Sequence, residues 1–219
     1  MIAGSISLIE HKLAGKAKLI AVTKTKPLAL LREAYEAGCR RFGENKVQEM
    51  VDKQPQLPHD IEWHLIGHLQ TNKVKYIAPF VTLIQSVDSL KLLQEINKQA
   101  AKHERVINCL LQIHIADEET KFGLSPDEAE ALLNAPELEH LTNVQLIGLM
   151  GLATNTDDEA QIRQEFRNLN QLYNQLRPIR RTNIDFQELS MGMSGDYQIA
   201  VEEGSTMVRI GSAIFGSRA

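Results

Sequence analysis

The stretch from Leu19 to Pro27, LIAVTKTKP, places a lysine where covalent chemistry is possible. An amine attacks a carbonyl only when it is unprotonated, and partial burial near a second cation favours that form. Lys24 has this setting, because it follows the apolar run Leu19-Ile20-Ala21-Val22 and lies close to Lys26. Far along the chain, Ser190-Met191-Gly192-Met193-Ser194-Gly195-Asp196 joins hydroxyls to glycines that let backbone N–H groups approach an anion. Gly211-Ser212 and Gly216 repeat that chemistry. Arg209 lies among apolar neighbours in Met207-Val208-Arg209-Ile210-Gly211, and a guanidinium is seldom buried without something to pair with. Amine, anion cup and guanidinium form one possible site. Each part also has a plainer reading: lysines that solvate a strand end, turns that merely connect, and Asp185 or Glu188 neutralising Arg209. Asp196 would repel an anion if it faced inward. We expect it to face outward, in the first turn of a helix that begins near Ser194 and directs its free N–H groups at the anion.

These residues need a scaffold that brings the two ends of the chain together. Leu19–Val22 is short and apolar enough to be a strand buried on both faces, and Pro27 opens a helix over Leu28–Ala37. Lys24 thus falls at the carboxyl end of a strand, where α/β folds place their chemistry. Further strands are expected at Arg41–Gly43, Glu62–His68, Thr82–Val87, Val106–Ile115, Val144–Met150, Phe186–Met191 and Met207–Gly211, with Asn45 just beyond the second. Helical patterns alternate with them, including one capped by Asp88, one opened by Ser125-Pro126, and a long one over Asp157–Gln175. Regular alternation implies a parallel sheet, and eight repeats fit a (β/α)₈ TIM barrel preceded by an extra N-terminal helix over Ile2–Leu13. In such barrels the loops after strands seven and eight often hold a phosphate, which is where the serines and glycines fall. A doubly wound open sheet is the alternative, but no G-x-G-x-x-G turn follows the first strand.

Composition narrows the classes. A chain of 219 residues with 24% charged residues is expected to form a single domain, 1–219. A net charge of -4 gives no basic surface for nucleic acid. The two cysteines, Cys39 and Cys109, form no C-x-x-C pair, and no apolar run reaches membrane-spanning length. With no signal-peptide layout at the start, a cytoplasmic protein is expected. His64 and His68 are four apart but in strand-to-loop context, so structural or supporting roles are expected and no metal site.

An imine-forming lysine, a phosphate cup and an arginine for a ring nitrogen describe a pyridoxal phosphate site. The segments AVTKTKP, FGENKVQE, WHLIGHLQTNK and LSMGMSGDYQIAVEEGSTMVRIGSAIFG closely resemble the pyridoxal phosphate homeostasis proteins, relatives of the alanine racemase N-terminal barrel. The resemblance runs from near Leu19 to Gly216. It implies that Lys24 forms the covalent aldimine and that Ser194, Gly211 and Ser212 hold the phosphate with Ser190 nearby. It further implies that Arg209 faces the pyridine nitrogen and Asn45 lines the site. Lys26 and Lys121 match lysines placed near the site. The racemases add a tyrosine from a second domain, for which no room is expected here, and none of Tyr35, Tyr76, Tyr173 or Tyr197 stands at a matching place. The expected function is a non-catalytic, monomeric cofactor carrier or buffer in vitamin B6 and amino-acid balance, with pyridoxal phosphate-dependent apoenzymes as possible recipients. The alternatives are a weak amino-acid racemase, a cofactor-free barrel aldolase, or a module acting through a partner protein.

Overall fold

The computed structural model describes residues 1–116 and 122–216. Eight parallel strands close into a barrel in sequence order. They are β1 (Lys18–Val22), β2 (Arg41–Glu44), β3 (Glu62–Leu65), β4 (Leu83–Val87), β5 (Ile107–Ile113), β6 (Val144–Gly151), β7 (Ile184–Ser190) and β8 (Met207–Ile210). The (β/α)₈ expectation is met, and the open-sheet alternative falls because β1 pairs with β8 over Lys18↔Met207 to Ala21↔Ile210. That register sets Ile20 beside Arg209, so the two ends of the chain meet in one wall.

Helices cover the outside. They are α1 (Ile2–Leu13), α2 (Leu28–Glu36), α3 (Val47–Lys53), α4 (Val74–Ile77), α5 (Leu90–Lys102), α6 (Pro126–Asn134), α7 (Glu159–Leu176), α8 (Tyr197–Glu202) and α9 (Ser212–Phe215). Their buried faces repeat every three to four residues, as with Ile2, Ile6, Ile9 and Leu13 of α1, which pack toward α2, α8 and α9. Most of the core lies between this ring and the sheet, while Ile20, Leu83, Leu110, Met150 and Met207 form a separate cluster. Gly148 makes the closure possible in β6. Its φ is 154°, and a Cβ there would lie 1.7 Å from the Glu188 carbonyl oxygen, at the place where the β6 register shifts.

Three local expectations need correction. Ser89, not Asp88, caps α5 by accepting from Leu92 N–H at 3.2 Å, and Asp88 instead faces His68 Nδ1 at 3.4 Å. Pro27 stands at the N-cap with an extended ψ of 154°, one position before the helix. The helix expected from Ser194 begins at Tyr197, because Met193–Asp196 forms a tight turn first. Ser125 caps α6 as expected, and with Glu128 it forms a full capping box.

Candidate functional site

β1 ends at Val22, and the next three residues make the turn that carries Lys24. Thr23 is fully buried; its hydroxyl donates to Glu44 Oε1 at 2.6 Å, and its carbonyl accepts from Lys53 Nζ at 2.8 Å. Thr25 takes a left-handed φ of 62°, and its N–H donates to Glu49. A non-glycine residue holds that conformation only where its surroundings impose it. Lys53, almost fully buried at the end of α3, bridges Glu44 and Glu49 at 2.7 Å each. One buried ion cluster therefore clamps the residues on both sides of Lys24. Burial pushes the Glu44 carboxyl up, while hydrogen bonds from Lys53 and Thr23 pull it back. Glu44 Oε2 is buried without a partner. None of these carboxylates or Lys53 was expected from sequence.

Arg209 projects from β8 into the barrel and is 3% exposed. Its partners are neutral: Nη1 donates to Ser190 Oγ at 2.6 Å, and Nη2 to the Gly151 carbonyl at 2.9 Å. Desolvation pushes the guanidinium down to about 10, partly offset by the charge of Asp196, so it stays protonated at neutral pH. The carboxylate partners considered for it lie elsewhere. Glu188 joins Lys18 and the Thr206 hydroxyl, and Asp185 joins Arg180.

Beyond β7 the chain turns through Gly192, with φ 96°, where a Cβ would stand 2.6 Å from that of Ala200. This compact turn brings Ser194 against the loop after β8, and Ser194 Oγ accepts from Gly211 N–H at 3.2 Å and Ala213 N–H at 3.3 Å. The backbone donors at the cup thus come from the start of α9 rather than from a helix beginning at Ser194. Asp196 is half-buried, and its carboxylate accepts from Met193 N–H, which fastens the turn.

Lys24, Lys26, Asn45, Ser194, Arg209, Gly211 and Ser212 line one cavity of about 520 Å³ at the carboxyl ends of the strands. Ile66, Leu152 and Asn155 complete walls that sequence reasoning did not single out; they sit just beyond β3 and β6, where only the closed barrel shows convergence. Ser190 is the exception, since it is fully buried behind Arg209 and does not line the cavity. Lys26 Nζ donates to the Gly216 carbonyl at 3.2 Å, which ties the first loop to the end of α9. Lys121 lies outside the described residues. His64 is buried within the barrel, and His68 stacks on Phe122 at 4.1 Å.

The donor set suits a phosphorylated aromatic aldehyde: an amine, a cup of hydroxyl and backbone N–H groups, and a buried guanidinium that can only donate. Comparison with known proteins agrees. The family described as alanine racemase, N-terminal domain, matches residues 2–219. A pyridoxal phosphate homeostasis protein of Aquifex aeolicus is 43% identical over 203 residues, covering 92% of this chain and 87% of that one. The structure of PipY from Synechococcus elongatus with pyridoxal phosphate bound superposes with a TM-score of 0.89 at 36% identity, covering 99% of this chain and 100% of that one. An alanine racemase of Clostridium difficile shares the fold, with a TM-score of 0.79 at 13% identity, covering 99% of this chain and 56% of its own. Among the described residues no helix is long and apolar enough to cross a membrane.

Proposed function

Because the chain belongs to the pyridoxal phosphate homeostasis proteins, built on the alanine racemase N-terminal domain, we propose that it binds pyridoxal 5′-phosphate and acts as a carrier or buffer of it. The observation that carries this reading is the lining of the cavity at the strand ends. Lys24, Arg209 and Ser194 converge there, and no described His, Tyr, Cys, Asp or Glu joins them. When bound, the cofactor supplies an aldehyde that condenses with amines and a ring that can delocalise charge.

Lys24 is the covalent attachment point, held in place by the clamped turn on either side of it. Ser194 and the N–H groups of Gly211 and Ser212 would hold the phosphate, the Gly211 N–H turning to it from Ser194 Oγ, with Asn45 along the wall. Arg209 has donors only and stays charged, so a ring nitrogen that it held would have to accept and would be kept unprotonated. A ring held that way would draw electrons weakly. Apart from Lys24 and Lys26, no described lining side chain is suited to move a proton, so turnover is poorly supported and holding is favoured. The proposal extends to the chain as one cofactor-binding unit, a cytoplasmic monomer whose recipients are apoenzymes that need this cofactor.

The purified protein mixed with pyridoxal phosphate should develop a yellow absorption that borohydride fixes to the chain. Lys24→Ala should abolish it. No such absorption in the unsubstituted protein would overturn the cofactor reading. The shared racemase fold favours one rival, a weak amino-acid racemase. Exchange of the alanine α-proton into deuterated water at ~1 s⁻¹ or faster would replace the carrier reading with that one.

A further inference from the structure

A line of hydrogen bonds crosses the inside of the barrel. Arg209 Nη1 donates to Ser190 Oγ at 2.6 Å, Ser190 Oγ donates to Gln85 Oε1 at 2.6 Å, and Gln85 Nε2 stands 3.0 Å from His64 Nδ1. The four side chains come from β8, β7, β4 and β3. Gln85 and Ser190 are fully buried, and His64 is 2% exposed.

With the Gln85 amide oxygen toward Ser190 and its NH₂ toward His64, the direction of every bond follows. A guanidinium only donates, so Ser190 Oγ must accept from it and spend its one hydrogen on Gln85. The Gln85 amide oxygen is then engaged, and its NH₂ must donate to His64. His64 Nδ1 therefore carries no proton, and the ring holds its hydrogen on Nε2. Burial agrees with a neutral ring, for desolvation, with Arg41 and Lys18 adding to it, pushes the imidazole down to about 3.

We propose that His64, Gln85 and Ser190 are positioning residues that aim Arg209 into the cavity holding Lys24. Gln85 fixes the Ser190 hydroxyl so that its lone pairs face Nη1, while the Gly151 carbonyl holds Nη2 at 2.9 Å. The guanidinium plane is thereby set, and its remaining donors are left for the cavity that Arg209 lines. A chain of neutral polar groups beside the apolar cluster of Ile20, Leu83, Leu110, Met150 and Met207 adds little stability over apolar packing, but it orients a charge without neutralising it. A carboxylate in the place of Ser190 would cancel the charge that an acceptor in the cavity needs.

The inference rests on the cofactor reading only in its binding arm. Nitrogen NMR of the unsubstituted chain should show neutral His64 protonated on Nε2. Q85E lets a carboxylate accept from both sides: Ser190 still donates, but His64 must now carry a proton on Nδ1, while Arg209 stays in place. Q85M fills similar volume and breaks the line. Its Arg209 side-chain N–H groups should exchange about tenfold faster, and pyridoxal phosphate affinity should fall about tenfold, the loss expected for one buried partner. Q85E should restore affinity to within about threefold. S190A should match Q85M, and the two losses should not add. A folded Q85M or S190A with unchanged Arg209 exchange and affinity would overturn the proposal, as would His64 protonated on Nδ1 in the unsubstituted chain. If the unsubstituted protein takes up no cofactor, the functional reading fails, and the His64 and Arg209 signals still decide this one.

Discussion

At the amino-terminal mouth of the barrel Lys18 meets Glu188 and Arg41 meets Glu62, whereas at the carboxyl-terminal mouth Lys24, Lys26 and Arg209 line a cavity that no described carboxylate lines. The cavities differ little in size, about 480 Å³ below and about 520 Å³ above. What separates them is the treatment of charge. Below, Lys18 is spent on Glu188, two strands away on β7, and Arg41 on Glu62 of the neighbouring β3. Above, Ser190 and Gly151 give Arg209 neutral partners, and the acids Glu44 and Glu49 are drawn behind the wall to clamp the turn. A low-dielectric cleft lined by cations and by no described carboxylate concentrates anions more than one lined by matched pairs. Volume alone would not have chosen between the two mouths.

The contrast can be broken from either end. The largest effect is expected at the upper clamp, where Lys53→Met leaves buried Glu44 and half-buried Glu49 without their shared cation. We expect a loss of ~3–5 kcal/mol in a denaturant titration, together with slower covalent uptake of cofactor at Lys24. A loss below ~1 kcal/mol would show that the cluster does not constrain the turn.

His64, at the foot of the interior line, gives a pH signature. Its folded pKa is depressed to about 3 from 6.5, so on acidification the unfolded chain binds the proton first. Stability present above the unfolded value is thus lost as pH falls through that window. His64→Gln should remove about 1.4 kcal/mol of this loss per pH unit, read as the difference between the two proteins' unfolding curves. Parallel curves would mean that His64 takes up its proton inside the fold.

Ser194→Ala takes the hydroxyl from the anion cup, and we expect affinity for pyridoxal phosphate to fall about tenfold with little change in unfolding. The smallest effect belongs to the lower mouth. Lys18 is half-exposed, so Lys18→Met should cost no more than ~1 kcal/mol and leave cofactor affinity unaltered. An affinity loss there as large as that of Ser194→Ala would erase the distinction between the mouths.

Much of this molecule was legible in one dimension. Strand positions came from short apolar runs between helical patterns, and α1 and the Ser125 cap of α6 lie where spacing put them. Lys24 stood out as a charged residue directly after a buried strand, and Arg209 as one inside such a strand. Lys53 gave no such sign, because a lysine at a helix end before proline looks like ordinary solvated surface. Gln85 was equally silent, since one amide in an apolar run does not say which face it takes. Ser190 and Ser194 looked alike as hydroxyls near glycine, yet one supports Arg209 and the other faces the cavity.

Residue types and their order therefore determined the alternation of strands and helices, the closure into eight, and the presence of an amine, a guanidinium and an anion cup at strand ends. These depend on local periodicity and on side-chain chemistry, which a linear chain already contains. The tertiary structure decided which charges cancel. Lys18 and Lys24 belong to the same strand and its exit loop, but barrel closure sets Glu188 beside the first and backbone N–H groups, Ser194 and Arg209 around the second. Coulomb and hydrogen-bond energies depend on distances between residues far apart in sequence, and only the closed barrel sets those distances.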